Sequence, residues 1–224
     1  MCGRFALTLP HEAMASIFEA TIAASLMPVP AYNICPTLGI TTVVAGAEGR
    51  QLVPMRWGFL PHWYKTERDG PLLINARAET IAEKPAFKAA CRERRCLIPA
   101  TGFYEWTKDE DGNRLPWYIH PKGNAPLAFA GIWQDWTGAD GSGHRTCAIV
   151  TTAANATMSA IHHRVPVLIG STDQGLWLGE EGKGAARLMQ APAEDALAFH
   201  RVDRRVNSNR VEGPDLIEEI DPAT

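Results

Sequence analysis

The chain has 224 residues, enough to bury a sizeable core as one large domain or two small ones. With 46% hydrophobic and 21% charged residues it lies in the ordinary globular range, which excludes a disordered chain, and no apolar run approaches membrane-spanning length. The formal net charge of −3 excludes a protein that coats nucleic acid through a global basic field, so any such contact has to come from a local basic surface. Five cysteines, an odd number without a C-x-x-C pair, argue against a disulfide framework or a zinc site and for reduced cytoplasmic thiols. The opening residues, MCGRFALTLPHE, lack a basic head followed by a long apolar stretch, so a soluble chain with no secretory signal and no membrane partner is expected.

In chain order, Phe5-Ala6-Leu7 reads as a strand and Leu9–Ala24 as a helix, with Thr8 as its cap and Pro10 in its first turn. A loop carrying Pro28, Pro30 and Pro36 follows, then strand-like Ile40–Ala45 and Gln51–Met55. Pro85–Arg94 looks helical. The middle is β-rich: Cys96–Ile98, Gly102–Thr107, Trp117–His120, Leu127–Trp136 and Thr146–Thr152 all have strand composition, with Asp111-Gly112 and Asp140-Gly141 as turns. Val165–Ile169 is another strand, and short helices are expected near Asp173–Leu178 and Gly184–Met189. The acidic tail, about 212–224, is expected to be solvated. No linker interrupts the chain. The expectation is an α+β fold, one domain over 1–224 with its core at about 2–207, in which an antiparallel β-barrel-like core carries peripheral helices.

Five constellations could carry chemistry. Loss of Met1 would leave Cys2 with a free α-amine and a thiol on adjacent carbons. An α-amine has a reference pKa near ~8, so a useful fraction is neutral and can attack an aldehyde to give an imine. The thiol can then close a five-membered thiazolidine, which neither an internal cysteine nor a lysine can form. The plainer alternative is an incidental residue at a frayed terminus. Gly3 permits close backbone approach and Arg4 offers a charge suited to phosphate. Asn75-Ala76-Arg77-Ala78-Glu79 combines a versatile amide with a guanidinium able to clamp phosphate, or else marks a strand end leading into a helix. In Gly102-Phe103-Tyr104-Glu105-Trp106, strand alternation puts Phe103 and Glu105 on one face and Tyr104 and Trp106 on the other. A carboxylate among aromatics tends toward a raised pKa, suiting a proton shuttle, although a solvent-facing glutamate on an edge strand is the common case. In Ile161-His162-His163-Arg164, adjacent histidines point apart, so a general acid is a more economical reading than a shared metal; a surface pair is the alternative. Finally, Trp57, Phe59 and Trp63 beside arginines follow the usual grammar of single-strand stacking, or belong to an aromatic core.

Taken together and in order, these segments resemble the SRAP family, the SOS-response-associated peptidase-like proteins. The matching text is M-C-G-R-F at Met1–Phe5, Y-N-I-C-P-T at Tyr32–Thr37, M-R-W-G-F-L-P at Met55–Pro61 and N-A-R-A-E-T at Asn75–Thr80. It continues with R-R-C-L-I-P-A-T-G-F-Y-E-W at Arg94–Trp106, F-A-G-I-W at Phe129–Trp133 and I-H-H-R-V-P at Ile161–Pro166. The resemblance implies a protein that cross-links through Cys2 to abasic sites in single-stranded DNA, with no cofactor and no metal. It implies that Asn75 orients the amine and the sugar, that Glu105 moves protons, and that His162 is a general acid. It also implies that Arg4, Arg77 and Arg164 hold phosphates and that Asn33, Pro36, Trp57, Phe59, Trp106 and Thr151 face DNA. Val165 stands where the family usually has methionine, and His163 where an acidic or polar residue is common; both bear on groove shape rather than on the reacting atoms.

Three other function classes compete: a thiol peptidase that processes itself, an N-terminal-nucleophile glutamine amidotransferase, and a single-strand DNA module whose cysteine is incidental. An imine would also open a strand-cleaving lyase side activity. A monomer in the cytoplasm, associated with the nucleoid when bound to DNA, is the remaining expectation.

Overall fold

The computed structural model describes residues 2–123 and 125–220. Met1, whose removal the Cys2 chemistry requires, and residues 221–224 of the acidic tail lie outside the described residues. The fold is mixed α+β. Its strands are β1 (Phe5–Leu7), β2 (Ala20–Ile22), β3 (Ala31–Ile34), β4 (Gly39–Gly46), β5 (Gly49–Trp57), β6 (Asn75–Arg77), β7 (Arg95–Ala100), β8 (Gly102–Lys108), β9 (Arg114–Pro121), β10 (Leu127–Thr137), β11 (Gly143–Ala153), β12 (Arg164–Pro166) and β13 (Leu197–Arg201). The short helices are α1 (His11–Ile17), α2 (Lys88–Glu93), α3 (Ala156–Ser159) and α4 (Gln174–Leu178).

Strands β5, β4, β7, β10 and β11 form a closed five-stranded barrel. Four of its junctions are antiparallel, as expected, but a parallel pair closes the ring, with Thr146 opposite Arg56 and Cys147 opposite Trp57. β2 extends the barrel beside β5, while β6 and β12 flank β11. A second, antiparallel sheet runs β13-β9-β8-β1-β3. The two Asp-Gly pairs do turn the chain: Gly112 and Gly141 both sit at φ 81°, where a side chain is disfavoured, and join β8 to β9 and β10 to β11.

Phe5 ties the two sheets together. Its ring meets Trp57 and Phe129 edge-on, at centroid distances of 5.2 and 5.9 Å, and Phe103 meets Phe129 at 5.8 Å. Edge-on aromatic pairs add to the burial of their large apolar area. The main hydrophobic cluster therefore includes residues of both sheets. On the opposite face of the second sheet, Tyr104 and Tyr118 form a smaller cluster with Val202, Val206 and Leu216. The alternation read for Gly102–Trp106 is visible here: Phe103 belongs to the main cluster and Tyr104 to the smaller one, against which Trp106 packs.

Several elements differ from the sequence reading. The expected helix Leu9–Ala24 stops at Ile17, because Glu19 turns left-handed (φ 51°) and Ala20–Ile22 pairs in parallel with Arg50–Leu52. Pro10, not Thr8, occupies the cap position, and it makes no side-chain capping bond. The expected helix Pro85–Arg94 contracts to Lys88–Glu93, and Gly184–Met189 is a 3₁₀ turn over Ala185–Leu188. The strand expected at Val165–Ile169 begins and ends earlier. β3 and β13 are additional strands. The described part of the acidic tail, residues 212–220, is not a solvated appendage: Leu216 is buried, Glu212 accepts hydrogen bonds from the backbone N–H of Tyr32 (2.9 Å) and Asn33 (3.1 Å), and Ile220 N–H donates to Arg201 O (3.0 Å). Leu216 and Ile217 pack on the apolar face of the second sheet, and these hydrogen bonds complete the docking.

Candidate active site

Strand β1 fixes the start of the chain. Phe5 pairs with Phe103, and Tyr104 N–H donates to Arg4 O at 2.9 Å, so the residues before Phe5 run alongside β8 toward Glu105. Cys2 is 1% exposed. Asn75 Nδ2 donates to Cys2 O at 2.9 Å. Asn75 is itself placed by one ladder and one side-chain hydrogen bond. β6 runs parallel to β11, with Asn75 opposite Ile149, and the Trp57 indole donates to Ile74 O at 3.0 Å. Among the described residues Asn75 Oδ1 is buried without a hydrogen-bond partner, which leaves an acceptor available beside Cys2.

Glu105 is buried, and burial raises its carboxyl above the usual carboxylate range. Burial also pushes the Cys2 thiol well above the usual thiol range, with the Glu105 charge acting in the same direction. His162 lies beside Glu105, Nδ1 to Oε1 4.0 Å. Burial lowers the His162 imidazole, favouring its neutral form. His162 Nδ1 faces the Arg164 backbone, 3.0 Å from its N–H and 3.2 Å from its carbonyl oxygen, contacts compatible with either tautomer of the ring. His163 stacks on His162 with ring centroids 4.3 Å apart, and the charge of His162 is the main cause of its own lowered pKa.

Two cavities adjoin this group. Glu105, His162 and Gly3 line one of about 340 Å³, whose rim carries Arg4, Lys108 and Arg114. Asn75 and Arg77 line the other, of about 530 Å³, with Trp63 and Lys84 on its wall and no carboxylate among its lining residues. Both are locally cationic despite the negative net charge. Among the described residues no cluster of three or more His, Cys, Asp or Glu side chains converges in a way that would hold a metal ion.

The structure thus brings together Cys2, Asn75, Glu105 and His162, with Arg4, Arg77 and Trp106 at the cavity walls. Trp106 lies between two guanidinium groups, Arg114 at 4.5 Å and Arg4 at 5.9 Å from its ring centroid, and donates to Asn207 Oδ1 at 2.6 Å. Pro36 is half-buried in the turn after β3. Other expected DNA-facing residues are spent inside the protein. Trp57 and Phe59 are fully buried core residues and offer no face to a base. Asn33 accepts from Arg4 Nη1 (2.6 Å) and donates to Ser208 O (2.9 Å) and Val211 O (2.7 Å), so it ties Arg4 to the C-terminal segment. Thr151 is buried beneath Arg164. Arg164, 8% exposed, forms a two-pronged ion pair with Glu79, at 2.7 and 2.9 Å, rather than an open phosphate clamp.

Residues that the sequence reading passed over include Arg114, Lys84 and Lys108; Glu79 lay within the Asn75–Glu79 segment but was given no role of its own. The Asp111-Gly112 turn fixes the β8–β9 register, which pairs Lys108 with Arg114 and so puts Arg114 beside Trp106; that signal was present in the sequence. Trp63, 47% exposed, is the member of the aromatic trio that reaches solvent.

Comparison with known proteins follows the same lines. The family model described as SOS response associated peptidase (SRAP) matches residues 1–209. The abasic site processing protein YoqW of Bacillus subtilis (strain 168) is 35% identical over 225 residues, covering 97% of this chain and 99% of the relative. Abasic site processing protein YedK of Escherichia coli (strain K12) is 30% identical, covering 98% and 100%. Abasic site processing protein HMCES of Mus musculus is 28% identical, covering 99% of this chain and 76% of its own length. A crystal structure of a protein from Bacteroides thetaiotaomicron shares the fold, with a TM-score of 0.85 at 23% identity over 98% of this chain and 100% of that one. With the family model spanning nearly the whole chain and relatives at 30% identity or more, this chain belongs to the SOS response associated peptidase (SRAP) family.

Proposed function

We propose that this protein processes abasic sites in single-stranded DNA by forming a covalent thiazolidine through Cys2 once Met1 is removed. The observation that carries the reading is the setting of Cys2. It is not a loose terminus but a buried residue, its carbonyl held by Asn75 and its thiol facing the charge of Glu105. The names of the relatives, abasic site processing proteins, support the substrate class.

The chemistry follows from the proton affinities. A thiol held protonated is a poor first nucleophile, so the Cys2 amine attacks the C1′ aldehyde carbon of the ring-opened sugar. Asn75 Oδ1 accepts from that amine. Glu105, whose pKa burial raises, passes a proton to the carbinolamine oxygen, which leaves as water. In the tautomer with its proton on Nε2, the neutral His162 ring donates a hydrogen bond to the sugar oxygen as the ring opens. The Cys2 sulfur then adds to the imine carbon, and the S–H proton moves through the Glu105 carboxylate to the ring nitrogen. One C–N bond and one C–S bond form and one water leaves. Closure consumes the imine that would otherwise acidify the C2′ proton and release the 3′ phosphate, so strand cleavage is suppressed. Arg4 and Arg77, on the two cavities, would meet the flanking phosphates.

A thiol peptidase or an amidotransferase needs a reactive thiolate, and the burial around Cys2 disfavours one. The test is incubation with single-stranded DNA carrying one abasic site, followed by a heated denaturing gel. A heat-stable shifted band supports the reading; its absence from protein shown to lack Met1 overturns it.

A further inference from the structure

The arginines on the walls of the two cavities are not equally free to meet a ligand. Arg4 is partly committed inside the protein, its Nη1 donating to Asn33 Oδ1 (2.6 Å) and Val206 O (2.8 Å). Arg114 is exposed, and among the described residues its guanidinium makes no hydrogen bond or ion pair. What holds it is the Trp106 ring, whose centroid lies 4.5 Å away. The β8–β9 ladder brings the two together. Lys108 pairs with Arg114 and Trp106 with Pro116, so Arg114 and Trp106 are diagonal neighbours on one face of the hairpin. The ring is fixed in turn by its indole N–H bond to Asn207 Oδ1 (2.6 Å), and Asn207 Nδ2 donates to Arg114 O at 3.4 Å. Asp109, the half-buried carboxylate of the hairpin, is engaged elsewhere: it accepts from the backbone N–H and side-chain amide of Asn113 and pairs with Arg204 at 3.6 Å.

We propose that Arg114 is a phosphate-binding residue, held ready on Trp106, that takes the DNA backbone on the Glu105–His162 side of the lesion while Arg77 takes it on the Asn75 side. A guanidinium whose N–H groups are unsatisfied presents a planar fork that matches two phosphate oxygens. Stacking on the indole leaves the edges of that fork open and restricts the side chain before DNA arrives, so less freedom is lost on binding. The location suits the task. Arg114 shares the wall of its cavity with Gly3, Glu105 and His162, and Arg77 shares the other cavity with Asn75. The two cavities have no lining residue in common, so a strand whose abasic sugar meets Cys2 passes from one cation to the other. The assignment rests on the abasic-site reading above, which supplies the DNA strand.

The test measures equilibrium binding by fluorescence anisotropy, using single strands in which a tetrahydrofuran analogue without an aldehyde replaces the lesion. At about 0.1 M salt, Arg114→Gln is expected to weaken binding about fivefold and to reduce the slope of log affinity against log salt by about 0.7. Arg114→Lys, which keeps the charge but not the fork, is expected to keep the slope and to lose part of the affinity. With strands that carry nucleotides on only one side of the analogue, Arg114→Gln and Arg77→Gln are expected to lose affinity for opposite halves. A residue that merely supports Trp106 would lower affinity without changing the salt slope, and an unchanged slope in Arg114→Gln overturns the proposal. Losses by both variants on the same half overturn it as well. A parent that binds the analogue strand but forms no cross-link with the aldehyde strand overturns the cross-linking reading and leaves the phosphate contact intact.

Discussion

Replacing Asn75 with alanine removes the amide that donates to Cys2 O at 2.9 Å and the buried Oδ1 beside it. The Cys2 carbonyl is then a buried acceptor without its donor. Such a loss costs about 1–3 kcal/mol. If the bond is made fully only as Cys2 reaches the transition state, the cost appears in the barrier, and the expected decrease in cross-linking rate is about 5- to 150-fold. Asn75→Asp should be slower still, because it sets a carboxylate against a carbonyl and adds a second negative charge near Glu105. The assay is single-turnover cross-link formation at saturating DNA on a denaturing gel, with melting temperature measured alongside. A rate for Asn75→Ala within about twofold of the parent in folded protein would refute the idea that this amide aligns Cys2.

Other perturbations follow from the same geometry. Burial raises the Glu105 pKa, so its stabilising contribution is complete below the ordinary carboxylate pKa and is lost as pH rises through the raised one. Glu105→Gln is therefore expected to melt at or above the parent at pH 8, with that advantage gone near pH 4, while the bend that Glu105 gives the pH–rate profile disappears. The Glu79 carboxyl is held down to about 2 by Arg164, so its contribution is full above the ordinary 4.5 and fades as pH falls toward about 2. Glu79→Ala, which takes the half-exposed carboxylate from Arg164, is expected to cost about 1–3 kcal/mol, and Arg164→Met less, as chemical denaturation will measure. Trp57→Ala should lose about 3–5 kcal/mol of stability, whereas Trp63→Ala should leave stability nearly unchanged and weaken single-strand binding by about 1–3 kcal/mol; equal stability losses for the two would contradict their placement.

Strand alternation was a reliable guide where both faces of a strand are buried in different clusters. It separated Phe103 from Tyr104 correctly, and the Asp-Gly pairs marked two real hairpins. It failed where pairing partners are distant in sequence. β3 and β13 are short, mostly half-buried strands whose formation depends on β1 and β9, and nothing local in Ala31–Ile34 or Leu197–Arg201 announces those partners. The same holds for the parallel seam of β5 and β11 that closes the barrel, and for the tail, which docks through Leu216. Composition also could not tell an aromatic that stacks on a ligand from one that fills a core. Trp57 and Trp63 lie six residues apart in one motif, yet Trp57 is at 0% exposure and Trp63 at 47%. Arginine posed a parallel problem: Arg164 and Arg77 look alike in sequence, and only the Glu79 carboxylate distinguishes the buried one.

The most direct test of the Cys2 chemistry is mass spectrometry of the cross-linked product. Protein lacking Met1 is reacted with single-stranded DNA carrying one abasic site, then digested with nuclease and protease. The N-terminal peptide beginning at Cys2 is expected to carry the sugar remnant, the adduct having the summed mass of protein and DNA less one water, with the Cys2 thiol no longer open to alkylation. An adduct on any other residue, or a Cys2 thiol that still alkylates in the adduct, would contradict thiazolidine formation.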